Sequence, residues 1–393
     1  MTKHTSKKFS HGAILVGAVA SIAFFLFLLR SDIAIEYMKR GLKLCAHTVI
    51  PSLFPFMVIS ELIVSCGIGQ RLLHLPAKLL YKLFKIEEQE SCAFLLGAIC
   101  GFPIGARTLC TMYDNGTLTK SRFERALTFC NNPGSAFVIS AVGVSLFGSK
   151  HLGTALYVCV LLSAVTVGAI SGLLMESDSS QKSSSAALTQ NYIDLGNKGI
   201  GAFTSAIQNS ASAMLTVCAY VTFFSSFVGC IGAIAKHFNA SENTLAALFG
   251  FFEISSGVCT SAEISTPTAS ILISAAILGW SGLSVHLQII TICGGRGISF
   301  KTYFIAKAAQ GLLCALYAGI FIKLFPASDR VFAEMRQASA GNSAIINSAF
   351  VCCIFFAATV LPLMLFGLFA RSKKFFRKKQ KNFKKGVDKS NFV

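Results

Sequence analysis

Apolar residues run along most of this chain in blocks of roughly 17 to 25, the length at which a helix crosses a ~30 Å hydrocarbon core. Blocks at residues 12–29, 44–66, 129–148, 151–174, 203–234, 268–292, 302–325 and 344–370 predict eight transmembrane helices. Two further blocks carry helix-breaking or polar residues at their centres. The first, over 91–112, contains CAFLLGAICGFPIGARTLC, with Gly101, Pro103 and Gly105 in the middle. The second, over 245–262, reads LAALFGFFEISSGVCTSA and centres on Glu253, Ser255, Ser256 and Gly257. A continuous helix would lose backbone hydrogen bonds at such centres, so each block is expected to form a re-entrant helical hairpin.

The order of these elements repeats. GLKLCAHTVIPSLFPFM from Gly41 corresponds to GIGAFTSAIQNSASAML from Gly199, and each leads into a long span, a hairpin, a broken span and a final helix. Each copy holds three full crossings and one hairpin, so the second copy enters the membrane in the opposite sense, an inverted repeat. The expected divisions are 1–38 (cytoplasmic N-terminus and first span), 39–174 (first copy), 175–198 (polar Ser-rich linker), 199–325 (second copy), 326–370 (loop and last span) and 371–393 (basic tail). The fold class is all-α and polytopic, with about eight transmembrane helices and two re-entrant hairpins.

Composition agrees: 53% of the 393 residues are hydrophobic, 13% are charged, and no segment is left for a sizeable water-soluble domain. The net charge of +18 would suggest nucleic acid were it not for its location. Much of it lies in the tail RSKKFFRKKQKNFKK, directly after an apolar block. A juxtamembrane basic cluster reads as positive-inside topology and attraction to anionic lipid, not as a nucleic-acid surface. With the basic stretches 71–85 and 120–125 also inside, both termini are expected in the cytoplasm. The 14 cysteines sit mostly in apolar segments without a CxxC pair or a Cys/His spacing suited to zinc, so no metal and no cofactor is expected. Nor is there a GxSxG, HExxH or GxxxxGK[ST] motif, which argues against an enzyme and against ATP- or GTP-driven transport by this chain.

Four interruptions pair up between the copies: GFPIG at 101–105, CNNPG at 130–134, EISSG at 253–257 and GWSGLS at 279–284. Irregular backbone persists at membrane depth only where it is buried in protein or lines a wet cavity. The four are therefore expected to share an interior site in which half-helix N-termini and unwound carbonyls contact a solute or ion. Asn131 and Asn132 offer uncharged donors and acceptors, either to a solute or to the freed backbone, and Ser135 stands at the following N-terminus. Ser255, Ser256, Ser281, Ser284, His286 and Gln288 complete the polar set. Glu253, an acid at mid-hairpin, is the candidate for proton or cation coupling. Arg107 and Arg296 could attract anions or anchor topology.

CGFPIGAR, FCNNPGSAF and GLSVHLQ together resemble the nucleoside-recognition, or Gate, domain membrane proteins, and among them the sporulation integral membrane protein YlbJ family. The resemblance implies a fold similar to concentrative nucleoside transporters, and a place in the cell membrane or outer forespore membrane. It implies a secondary transporter or permease for a small polar or anionic solute, with dipicolinate moving towards the forespore. A nucleoside carrier and a structural or assembly protein of sporulation stay open as alternatives, and a homo-oligomer is compatible with the sequence.

Overall fold

The structure, a computed structural model, describes residues 11–65, 80–81, 88–174 and 195–324. Among these residues every regular element is helical. The predicted span 344–370, the tail 371–393, the basic stretch 71–79 and most of the linker lie outside the described residues.

Helix α1 (His11–Leu29) covers the first predicted span. It is followed by α2 (Ser31–Leu44), a π-helical turn (Cys45–Val49) and α3 (Ile50–Ser65). The path from Ser31–Val49 to Leu53–Leu62 bends by 54°. The bend thus falls inside the predicted span 44–66, whose first residues close the first member of the bent pair and whose remainder holds the second. Its sequence accounts for the bend, because Pro51 and Pro55 each remove an N–H from the helical ladder.

Helices α4 (Glu88–Cys100) and α5 (Ile104–Asp114) pack along each other as a hairpin around Gly101, Phe102 and Pro103. Next come α6 (Lys120–Cys130), α7 (Ala136–Leu146), wound with π-helical hydrogen bonds, and the long α8 (Lys150–Leu174). The same series then recurs. A long helix, α9 (Leu195–His237), precedes a second hairpin, α10 (Glu242–Phe252) and α11 (Ile254–Ala262). The interrupted pair α12 (Pro267–Trp280) and α13 (Leu283–Cys293) leads to the long α14 (Lys301–Leu324).

The span 129–148 is broken where CNNPG interrupts it: it is the end of α6, an extended break and α7. One expectation changes. The basic stretch 120–125, expected as a cytoplasmic loop, forms the first turns of α6, and Arg122 and Arg125 are buried. Arg125 pairs with Glu90 of α4, so its charge is satisfied by a carboxylate 35 positions earlier rather than by water or lipid. A hydropathy window cannot register such a partner.

Four helices among the described residues are long and apolar enough to cross a membrane: Lys150–Leu174, Ile200–His237, Pro267–Cys293 and Lys301–Leu324, or five with the bent pair. Leu215, Ile305 and Leu312 on these helices are more than two-thirds exposed, the outward apolar face that hydrocarbon requires. Packed inside is one large core joining both copies, in which glycines let backbones touch. A Cβ on Gly143 would stand 2.4 Å from the Cα of Gly153, so α7 and α8 meet without side chains between them.

Candidate functional site

The four interruptions come together as two backbone crossings. In the first copy Gly101, with φ +85°, lies against Gly134, and a Cβ on Gly101 would stand 2.7 Å from the Gly134 nitrogen. Such a φ is costly for any residue but glycine. The Phe102 N–H donates to the Asn132 carbonyl at 3.0 Å, joining hairpin to break. In the second copy Gly282, also at φ +85°, lies against Glu253 and Ile254, with only 2.9 Å between its would-be Cβ and the Ile254 nitrogen. Hairpin crosses broken helix in both copies.

One cavity lies between the crossings. All four interruptions contribute to its wall, through Gly101 and Phe102, Gly134, Glu253 to Ser255, and the start of α13 with Ser284 and Gln288. Val49, Leu53, Val217 and Val221 supply apolar lining. About 20 Å³ is open to the centres of water-sized particles, room for one or two waters and not for an aromatic solute. The site is occluded in this arrangement.

The polar groups divide unevenly between the crossings. At the first, every amide has a protein partner. Asn131 Oδ1 accepts from the Ala106 N–H at 2.8 Å, capping α5, whose own N-cap Pro103 supplies no side-chain bond. Its Nδ2 donates to the Leu127 carbonyl at 3.4 Å. Asn132 Nδ2 donates to the Phe129 carbonyl at 2.8 Å, and its Oδ1 accepts from Gln310 Nε2 at 2.7 Å. Lys307, also on α14 and fully buried, donates from Nζ to the Asn131 carbonyl at 2.8 Å. Ser135 Oγ donates to the Ile99 carbonyl. Of the two readings open for the asparagines, the geometry matches satisfaction of freed backbone groups; neither side chain lines the cavity.

At the second crossing Glu253, fully buried, caps α11 by accepting from the Ser255 and Ser256 N–H groups at 3.0 and 2.5 Å. Ser284 Oγ and Gln288 Oε1, both buried on α13, find no hydrogen-bond partner. They stand four residues apart, hence on one helix face, and that face is the cavity wall. His286, two residues on, points elsewhere: its Nδ1 shares a 2.8 Å hydrogen bond with Tyr303 OH, and its ring meets Trp280 edge-on. Ser281 is left-handed at φ +78° and bonds back to the Leu278 carbonyl, while Ser256 Oγ meets Ser225 Oγ at 3.2 Å.

Of the predicted site residues, Gly101, Glu253, Ser255, Ser284 and Gln288 line the cavity. Pro103 and Gly105 shape the first crossing instead; a Cβ on Gly105 would fall 2.1 Å from the Cys130 carbonyl oxygen. Neither arginine reaches the cavity. Arg296 forks onto Asp114 at 2.8 and 2.6 Å, holding the Asp114 carboxyl below its ordinary range, and Arg107 lies 4.0 Å from Glu61. Among the described residues no group of three or more His, Cys, Asp or Glu is gathered to hold a metal ion.

Lys307 and Gln310 escaped sequence reasoning. They lie in an apolar span where one lysine reads as tolerable, and their partners are 176 and 178 positions away. The available signal was their i, i+3 spacing, which places two polar side chains on one face. The same turn of α14 also touches the second broken helix, because a Cβ on Gly279 would stand 2.7 Å from the Gln310 carbonyl oxygen.

A helical chain with several apolar helices, and with its broken helices meeting around an interior cavity, is a polytopic integral membrane protein. Its sequence is 27% identical over 345 residues, 77% of this chain and 81% of the relative, to the sporulation integral membrane protein YlbJ of Bacillus subtilis (strain 168), and this likeness supports the YlbJ family. No protein-family model matches the chain, and no solved structure is significantly similar to it.

Proposed function

We propose that this chain is a secondary transporter of sporulation that carries a small polar or anionic solute through the cavity between the two crossings, with dipicolinate as the solute and Glu253 as the coupling group. The observation that carries the reading is the pair of unpartnered buried atoms, Ser284 Oγ and Gln288 Oε1, facing a cavity built from all four interruptions. Leaving a buried polar atom unpaired costs about 1–3 kcal/mol, so two on one cavity wall call for a partner from the cavity, water in this arrangement and the solute when it enters. The recurring series of helix, hairpin, broken helix and long helix supports inverted-repeat transport in which the occluded cavity opens to either side. Likeness to a sporulation membrane protein supplies the setting.

A dianionic cargo and the carboxyl of Glu253 share a sign. Dipicolinate therefore enters with a proton on Glu253 or with an accompanying cation, its carboxylates meeting Ser284 and the N-terminal amides of α13. A nucleoside is the second reading, and one observation favours it: among the described residues no lysine or arginine lines the cavity.

Proteoliposome uptake of radiolabelled dipicolinate and of uridine, with wild type, Ser284→Ala and Glu253→Gln, tests the proposal. Dipicolinate uptake is expected, falling roughly tenfold in Ser284→Ala, the equivalent of one hydrogen bond to a charged group. In Glu253→Gln it no longer responds to an imposed proton or sodium gradient. Uptake of uridine alone favours the nucleoside reading. Uptake of neither, or variants indistinguishable from wild type, overturns transport and leaves the assembly role.

A further inference from the structure

Lys307 is completely buried in α14, and among the described residues no carboxylate stands within ion-pair distance of it. Its Nζ is held by two neutral oxygens, the Asn131 carbonyl and Gln310 Oε1, each at 2.8 Å. The Asn131 carbonyl stands just past the C-terminus of α6, where unpaired carbonyls and the helix dipole gather negative partial charge. Burying an ammonium group among neutral acceptors is expensive, and an apolar side chain of the same length would fill the space without that penalty. In inverted-repeat transporters the unwound carbonyls and half-helix C-terminal ends are where a coupling cation is held.

We infer that the Lys307 ammonium is a tethered cation occupying a monovalent-cation site at the first broken helix, so that the CNNPG break keeps its shape with no diffusible ion. Gln310 completes the site: its Oε1 accepts from Lys307 while its Nε2 donates to Asn132, so a single turn of α14 holds both asparagines. Lys307 does not line the cavity and is a positioning residue. This role is independent of which solute is carried, and its test reads stability rather than uptake.

The full chain is purified in detergent in a Glu253→Gln background, which removes the ionisable group facing the cavity. Melting temperature is then compared in sodium, potassium and choline chloride at equal ionic strength. Glu253→Gln alone is expected to melt at one temperature in all three. Adding Lys307→Ala or Lys307→Met is expected to lower the melting temperature by about 5 °C. In the alanine variant the loss is recovered, saturably, by propylammonium, which replaces the missing three carbons and charge, and not by 1-propanol. A methionine variant as stable as its parent overturns the inference, as does equal rescue by propanol. Should neither Lys307 variant fold, the parent decides: stabilisation by sodium or potassium over choline means a diffusible ion fills the site and Lys307 does not.

Discussion

The two crossings have nearly the same backbone and opposite polar chemistry. Each sets a glycine at φ +85° against the neighbouring interruption. At the first, Asn131, Asn132, Lys307 and Gln310 hydrogen-bond one another and the freed backbone. At the second, Ser284 and Gln288 leave buried atoms unmatched beside a buried carboxyl. Duplicated architecture therefore does not imply duplicated work. One half is built to hold still; the other exposes unfilled hydrogen-bonding capacity to a cavity. An interruption in a membrane helix shows where irregular backbone is tolerated, and only the satisfaction of its polar atoms tells scaffold from site.

The heaviest loss is expected in the first copy. Removing one member of the buried Glu90 and Arg125 pair, as in Glu90→Gln or Arg125→Met, strands the other charge and is expected to cost about 3–5 kcal/mol, read as a large fall in melting temperature. The double variant Glu90→Met with Arg125→Met should recover most of that loss. If it does not, the pair does more than hold α4 and α6 together.

Next in size is a paired test across the halves. Gln310→Ala orphans Asn132 Oδ1 and should cost about 1–3 kcal/mol with solute absent. Ser284→Ala removes an atom that is already unmatched, so stability should stay within about 0.5 kcal/mol of wild type or rise, while uptake drops. Equal destabilisation by both would erase the distinction between scaffold and site.

The weakest contrast concerns the surface tie between Asp114 of α5 and Arg296 beyond α13. Hydrogen bonding to Arg296 holds the Asp114 carboxyl below its ordinary value, so this pair stabilises the fold above about pH 4 and the contribution fades as pH falls through the lowered value. Both side chains are partly exposed, which limits the contribution to about 1 kcal/mol or less. Between pH 7 and pH 3 the melting temperature of wild type should fall about 1–2 °C further than that of Asp114→Asn.

The interruptions themselves were legible in the sequence, because glycine, proline and polar residues clustered inside an apolar block deprive a membrane helix of the backbone bonds that would keep it continuous. A shared interior site followed from the cost of unpaired backbone in hydrocarbon, and Ser284 and Gln288 were legible as polar residues beside the second break, though not as a pair on one face. Which amides were already spoken for was not legible, since Asn131 and Asn132 find Ala106, Lys307 and Gln310 on distant elements. Buried Arg125 read as a surface charge for the same reason, its partner being on another helix.

The turn of α14 around Gln310 touches both broken helices, its side chain on Asn132 and its carbonyl beside Gly279. Where ordering at one break changes the other, the linkage is reciprocal. On the proposed transport reading, a solute that orders α12 and α13 and acts on the CNNPG break through this turn would have its affinity weakened by the same factor when that break is loosened. The backbone and side chain of one glutamine thus make a direct contact between the two breaks that lies outside the cavity wall.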